Sequence, residues 1–206
     1  MPQASRIISY VFHPLWMPLI SFLLAINTDP YFLSFFPKEL FNLFLIILAI
    51  NIIAPGLSLI FMWKRGLIGD LEISKRSERL VPFFIVLVYY LLSYLMLKQR
   101  DLPVPPAVYS MFLGVILTLL TSILVNAVWK ISIHMMAAGG LTGAFLGLFS
   151  VHNYSHPPVL MACIGISAAV AFARIYSGRH IPSQVYAGFL TGVLINYMAL
   201  SQSWIF

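Results

Sequence analysis

Ile131-Ser-Ile-His-Met-Met-Ala-Ala-Gly-Gly-Leu-Thr-Gly-Ala-Phe-Leu-Gly-Leu-Phe-Ser150 continues through Val151-His-Asn-Tyr-Ser-His-Pro-Pro158 into Val159-Leu-Met-Ala-Cys-Ile-Gly-Ile-Ser-Ala-Ala-Val-Ala-Phe-Ala173 without one Lys, Arg, Asp or Glu. A charge-free run of this length is about twice the ~20 residues that cross a bilayer as a helix. The cluster His152–Pro158 interrupts it with turn-forming residues, so the run predicts two membrane helices joined by a short loop. The remainder of the chain has the same character. Ile7–Thr28, Leu40–Trp63, Leu80–Leu97, Leu102–Trp129 and Ile181–Phe206 are also free of charge, and each reaches the ~18 residues that suggest a span. The expectation is an all-α integral membrane protein, a single transmembrane domain over residues 1–206 with about seven helices. The number falls to six if Pro14 and Pro18 leave the first segment only half inserted.

Composition demands the same solvent. With 61% hydrophobic and 9% charged residues among 206, one soluble core could not hide the apolar surface. The stretch after Arg6 is too long for a secretion-signal core and lacks a small-residue cleavage site, so it reads as the first helix. Cys163 is the single cysteine; it excludes an intramolecular disulfide and reads as a small packing residue. The net charge of +6 resides in short loops, where cations set topology and meet anionic headgroups. That placement argues for membrane lipids as partners and against nucleic acid. With no large soluble domain in the sequence, the expected location is a prokaryotic inner membrane, crossed many times.

Seven spans put Arg6, Lys64, Arg65, Lys75, Arg76, Arg79, Lys130, Arg174 and Arg179 on one face and Lys38, Lys98 and Arg100 on the other. The positive-inside rule then places the cation-rich face in the cytoplasm. The same parity places the three most reactive segments, 64–82, 129–134 and 174–184, on one face, where they can form one site.

In the last segment, Arg174-Ile-Tyr-Ser-Gly-Arg-His180-Ile-Pro-Ser-Gln184, Pro182 suits the first turn of a helix. His180 and Gln184 are then four apart, close enough for the amide oxygen to hold one ring nitrogen. Arg174 can fork onto an anionic oxygen, an imidazole can attack the same group, and the free N–H groups of the helix start point at a bound anion. In the middle segment, Lys130 offers a point charge, Ser132 a hydroxyl, and His134 a proton for a leaving alkoxide. In the first, Lys75 and Arg79 are four apart and share a face if helical. Each set also has an ordinary interpretation, as interfacial cations, headgroup-level histidines or a solvated charge run in which Glu72 and Glu78 pair with Arg76 and its neighbours. Gly139, Gly143 and Gly147, with Gly188 and Gly192, form ridges for helix packing in lipid. Asn51, Asn126 and Asn196 read as interhelical hydrogen-bond partners, with Asn126 near enough to Lys130 to support the site. His152 and His156 fall on the opposite face, and His134 and His180 without an acid partner give no metal set.

These motifs resemble the type 2 phosphatidic acid phosphatase (PAP2) superfamily of membrane lipid phosphatases. That family's third signature is Ser-Arg, five residues, His, three residues, Asp; here it stands as Ala173-Arg174, five residues, His180, three residues, Gln184. Val185-Tyr-Ala-Gly188-Phe-Leu-Thr-Gly192 is similar to the family's last helix. The second signature, Pro-Ser-Gly-His, survives as Ser132-Ile133-His134, and the first as Lys75, Arg79 and Pro82 with altered spacing. The resemblance covers about half the chain. It implies a PAP2-like helical core with a hairpin of two helices inserted between the first and second motifs. It also implies hydrolysis or transfer of a lipid phosphate, phosphatidate or a prenyl (di)phosphate, without metal or other cofactor, through a phosphohistidine. His180 would be the nucleophile, His134 the acid, Gln184 the residue orienting His180, and Lys75, Arg79, Lys130, Ser132 and Arg174 the phosphate-binding set. Glutamine in place of the aspartate removes a charge that orients and stabilises the histidine, and loss of an acid in a comparable role costs about 10⁴-fold in rate. A degenerate relative that binds or transports anionic lipids is therefore the alternative expectation.

Overall fold

The computed structural model describes residues 3–99 and 104–202. Among them the structure is helical, with no strand. The helices are α1 (Gln3–Val11), α2 (Met17–Thr28), α3 (Pro37–Ile46), α4 (Ala54–Lys64), α5 (Leu80–Gln99), α6 (Pro106–Val128), α7 (Ile133–Val151), α8 (Pro157–Tyr176) and α9 (Pro182–Ser201). Proline opens α3, α6, α8 and α9, where its missing N–H would have lacked a partner in any case. α3 and α4 are continuous through a π-helical segment, Ile47–Ile53. Pro55 explains the widening, because it cannot donate to Asn51 one turn earlier and its ring crowds that carbonyl.

Among the described residues, five helices are long and apolar enough to cross a membrane: Pro37–Lys64, Arg76–Gln99, Pro106–Val128, Ile133–Val151 and Pro157–Tyr176. The chain is thus a multi-pass membrane protein. The first expected span departs from a single helix. Residues 12–16 separate α1 from α2, because His13-Pro14 breaks the ladder and α2 keeps only 12 residues. α1 packs against α8 with Ser5 and Ser9 inward and leaves Ile7, Tyr10 and Val11 exposed. The expected limits at Leu102 and Phe206, and the cation Arg100, lie outside the described residues.

The tightest packing joins α7 to α9. Added Cβ atoms at Gly139 and Gly143 would lie 2.1 and 2.3 Å from the carbonyl oxygens of Phe189 and Val193, and one at Gly192 would lie 2.1 Å from that of Met136. The glycine ridges expected for helix packing are therefore points of backbone contact. Asn196 of α9 donates to Thr118 of α6 at 3.0 Å, and Ser93 of α5 donates to Asn51 at 3.0 Å, so these two asparagines are the expected interhelical links. Cys163 is fully buried.

Alternation of the helices brings the start of α5, the end of α6, the starts of α7 and α9 and the end of α8 to one end of the bundle. The other end holds a second polar cluster. Asp29, wholly buried, accepts from His152 Nδ1 at 2.7 Å and from the Tyr31 N–H at 2.8 Å. His156 caps α8 by accepting from the Val159 N–H. These two histidines stand away from the first end, as the parity of the spans requires.

Gly192→Val should lower the thermal unfolding midpoint of the purified protein in detergent by several degrees, because overpacking a well-filled contact costs about 1–3 kcal/mol. Gly165→Ala, with nothing within 4 Å of the new methyl, should leave the midpoint unchanged or raise it.

Candidate active site

His180 owes its position to the way α8 ends. Gly178 adopts φ +67°, a left-handed conformation that reverses the chain at little cost only for glycine. The N–H groups of Arg179 and His180 then fold back onto the Arg174 carbonyl at 3.2 and 3.3 Å, and Pro182 starts α9. The His180 ring turns inward, 5% exposed. Its Nδ1–H donates to Gln184 Oε1 at 2.9 Å, which leaves the lone pair on Nε2. The sequence spacing anticipated this pair. Burial, more than anything else, pushes the His180 pKa down to about 3; the Gln184 hydrogen bond opposes the shift, and the cations Arg174, Arg79 and Lys130 reinforce it.

The middle segment joins the same end. Ser132 precedes α7, and its N–H donates to the Gln184 carbonyl at 3.3 Å, tying the starts of α7 and α9 together. Its hydroxyl is fully buried and has no partner among the described residues. His134, 4% exposed, donates from Nε2 to the Ser9 carbonyl at 3.3 Å, which leaves Nδ1 as its uncommitted nitrogen. Lys130 Nζ donates to the Arg179 carbonyl at 3.1 Å. Its pKa is lowered by burial first and then by Arg79, Arg174 and Arg179. Asp70 opposes the shift, but the cations outweigh it at Lys130, and such a field suits an anion.

The first segment divides. Arg79, 3% exposed, donates from Nε to the Ile73 carbonyl at 2.9 Å and from Nη1 to the Ile131 carbonyl at 3.0 Å. Lys75 points outward with its side chain 72% exposed and pairs with Glu78 at 3.0 Å. The two do not share a face, because Arg76–Glu78 is a 3₁₀ turn rather than a turn of α-helix. Arg76 donates to the carbonyls of Asn126 and Ala127, and Asn126 returns a bond to the Arg76 carbonyl at 3.3 Å. Asn126 thus supports the first segment rather than Lys130.

Two participants were not identified from the sequence. Glu72, expected to pair with Arg76 and its neighbours, instead accepts from Arg174 Nη1 at 2.6 Å, with side-chain exposures of 5% and 1%. Arg174 Nη1 also donates to Ser9 Oγ at 3.2 Å, and its Nε has no partner among the described residues. The adjoining Ile73 has φ +48°, a genuine outlier for a β-branched side chain and the kind of strain found at functional sites. The other participant is His13, from the break between α1 and α2. Its ring meets that of His134 edge-on at 5.5 Å, and its Nδ1 accepts from the Leu15 N–H. His-Pro in the middle of an apolar stretch was the available signal.

His13, Glu72, Arg79, His134 and His180 line one cavity, whose other walls are largely apolar but include Ser21, Tyr90, Thr118, Ser122 and Asn196. Chemically, the arrangement offers a nucleophilic nitrogen, buried cations and a greasy interior side by side.

Glu72→Gln should destabilise the protein by about 3–5 kcal/mol, because it leaves the Arg174 charge buried without its counter-ion. Inorganic phosphate should restore part of the lost unfolding midpoint in that variant and change the wild type little.

Compared with known proteins, the chain matches no family model, no curated protein and no solved structure, so its chemistry has to be read from its own residues.

Proposed function

We propose that the protein is a metal-independent lipid-phosphate phosphatase or phosphotransferase, a divergent member of the PAP2 superfamily. The observation that carries this reading is the orientation of His180. Its Nδ1–H is held by Gln184, which leaves the lone pair on Nε2; the ring feels the charges of Arg174 and Arg79 and lines a largely apolar cavity. In this reading Met17–Thr28 and Pro182–Ser201 complete seven crossings, and the cation-rich end faces the cytoplasm of a prokaryotic inner membrane.

In the proposed reaction, His180 Nε2 forms a bond to phosphorus while the bond to the lipid alcohol oxygen breaks. His134 takes the acidic proton of the entering phosphate monoester on Nδ1, gives it to the departing alkoxide and keeps its Nε2–H on Ser9. Arg79, Lys130 and the Ser132 hydroxyl bind non-bridging oxygens as charge shifts onto them. Arg174 joins them once the phosphate displaces Glu72 from one side of its guanidinium. Water, deprotonated by His134, then attacks phosphorus and releases His180. Lys75, exposed and paired with Glu78, plays its part at most as an outer attractor of anions.

The Arg174–Glu72 pair also favours a second reading, a protein that binds or transports anionic lipids without cleaving them. A guanidinium already neutralised, beside a histidine with an uncharged partner, is a weaker catalyst than the family pattern supplies. Activity separates the two readings.

His180→Ala should abolish phosphate release from phosphatidate or a prenyl phosphate measured with a chelator present; unaltered release would end the hydrolase reading. Gln184→Asp should raise turnover, because a carboxylate favours the imidazolium and orients the ring. No turnover in either the wild type or the Asp variant, with lipid-phosphate binding retained, would favour the binding protein.

With His180 held to about 3, the acid limb of kcat/KM should lie well below the usual 6.5 of histidine. Gln184→Asp should move it upward. Folding stability should follow the same sign, falling as pH drops from about 6.5 towards 3, since the unfolded chain takes a proton that the native ring refuses.

A further inference from the structure

The cavity beneath the histidines continues well beyond headgroup depth. It is lined along α6 from Ser122 to Val108 and along α7 from Ile133 to Ala144, stretches that span about 21 and about 17 Å at 1.5 Å per residue. Its deep end is walled by Ile47, Tyr90, Val108, Phe112 and Ala144. There the Tyr90 and Phe112 rings approach to 5.7 Å, and Val108 is wholly buried. The passage is narrow for its length. The centre of a water-sized sphere has about 130 Å³ to move in, and drawn out over about 20 Å that is the width of one hydrocarbon chain, with no room for a second abreast.

An apolar cavity that reaches this far along the helices departs from the close packing of an ordinary helical core. Its mouth carries His180, Arg79 and Glu72, so an occupant with an anionic head and one apolar tail fits both ends.

We infer that this tube seats, tail first, the single hydrocarbon chain of the phosphate ester, and that the floor at Tyr90, Phe112 and Ala144 gauges chain length. The inference rests on the lipid-phosphate reading of the site and adds the substrate class, phosphate esters of one long alkyl or prenyl alcohol rather than of diacylglycerol. Lipid is as apolar as the tube, so entering it contributes little net affinity. Its effect is discrimination. A chain longer than the tube holds its phosphate short of His180, and a second chain is stranded against the polar mouth.

The test uses the full-length His180→Ala protein in lipid nanodiscs, with octyl, dodecyl and hexadecyl phosphates that carry a photoreactive group at the chain end. Mass spectrometry locates the crosslinks. The octyl probe should label residues near Phe83 and Leu119, and the dodecyl probe should label Tyr90, Met111 and Phe112. Ala144→Phe, which plugs the lower tube, should remove the deep crosslinks and keep the shallow ones. If that variant does not fold, the depth series in the unplugged protein decides alone.

Crosslinks confined to lipid-facing residues such as Leu92 and Phe172, or independent of probe length, would overturn the inference. Equal deep labelling by a diacyl phosphate would do the same. Deep labelling with no phosphate release by the wild type would remove the hydrolase reading and retain the tube; phosphate release with only lipid-facing labels would remove the tube alone.

Discussion

A guanidinium cannot leave water uncompensated, and Arg174 is 1% exposed at the end of a membrane helix. The carboxylate of Glu72, from a loop more than a hundred residues earlier, answers that charge directly. Much of the site's shape follows from this requirement. The loop must fold inward to deliver Glu72, and Ile73 takes up a left-handed backbone next to it. Arg79 then secures the fold of the loop through the Ile73 carbonyl. Ser9 is drawn in from α1 by the same guanidinium and in turn holds His134. One buried ion pair thus links the loop between α4 and α5 to α8, and through Ser9 it reaches α1 and His134 on α7.

The pair has a chemical meaning as well as a structural one. Burying two charges together costs several kcal/mol of desolvation for each and is seldom the most stable solution available to a core. Leu or Met at both positions would meet the needs of packing alone. In the proposed reading, a phosphate would compete with Glu72 for the same donors, so the carboxylate would hold the place of the ligand's charge. On that proposal, the cations that act on Lys130 and His180 would receive the anion before Arg174 is released.

The sequence makes some of this visible and hides the rest for definable reasons. Features set by local spacing were readable. The four-residue step from His180 to Gln184, the proline that starts α9, and the glycine ridges all follow from helix periodicity. Convergence of three loops at one end followed from counting charge-free runs, and it survives the break in the first span because α2 still leads from the site to the opposite end. Lys75 and Arg79 share a face only on an α-helix, and Arg76–Glu78 makes a 3₁₀ turn instead. The partnership of Glu72 with Arg174 has no local signature, and nearer cations offered Glu72 a simpler match. His13 was hidden by its apolar surroundings, since a histidine beside proline reads first as a helix breaker. The depth of the cavity depends on side chains from six helices and has no linear pattern at all.

The contact of backbone on backbone between α7 and α9 has a consequence for how anything reaches His180. Glycines that already touch carbonyl oxygens allow neither compression nor sliding, so His134 and the turn bearing His180 are mounted on a rigid block. The opposing walls are built from larger side chains on α2, α5 and α6, and from a loop whose backbone is strained at Ile73. Compliance therefore lies on one side of the cavity only. If a ligand enters as proposed, a soft jaw would yield against a fixed anvil, with His180 on the part that does not move.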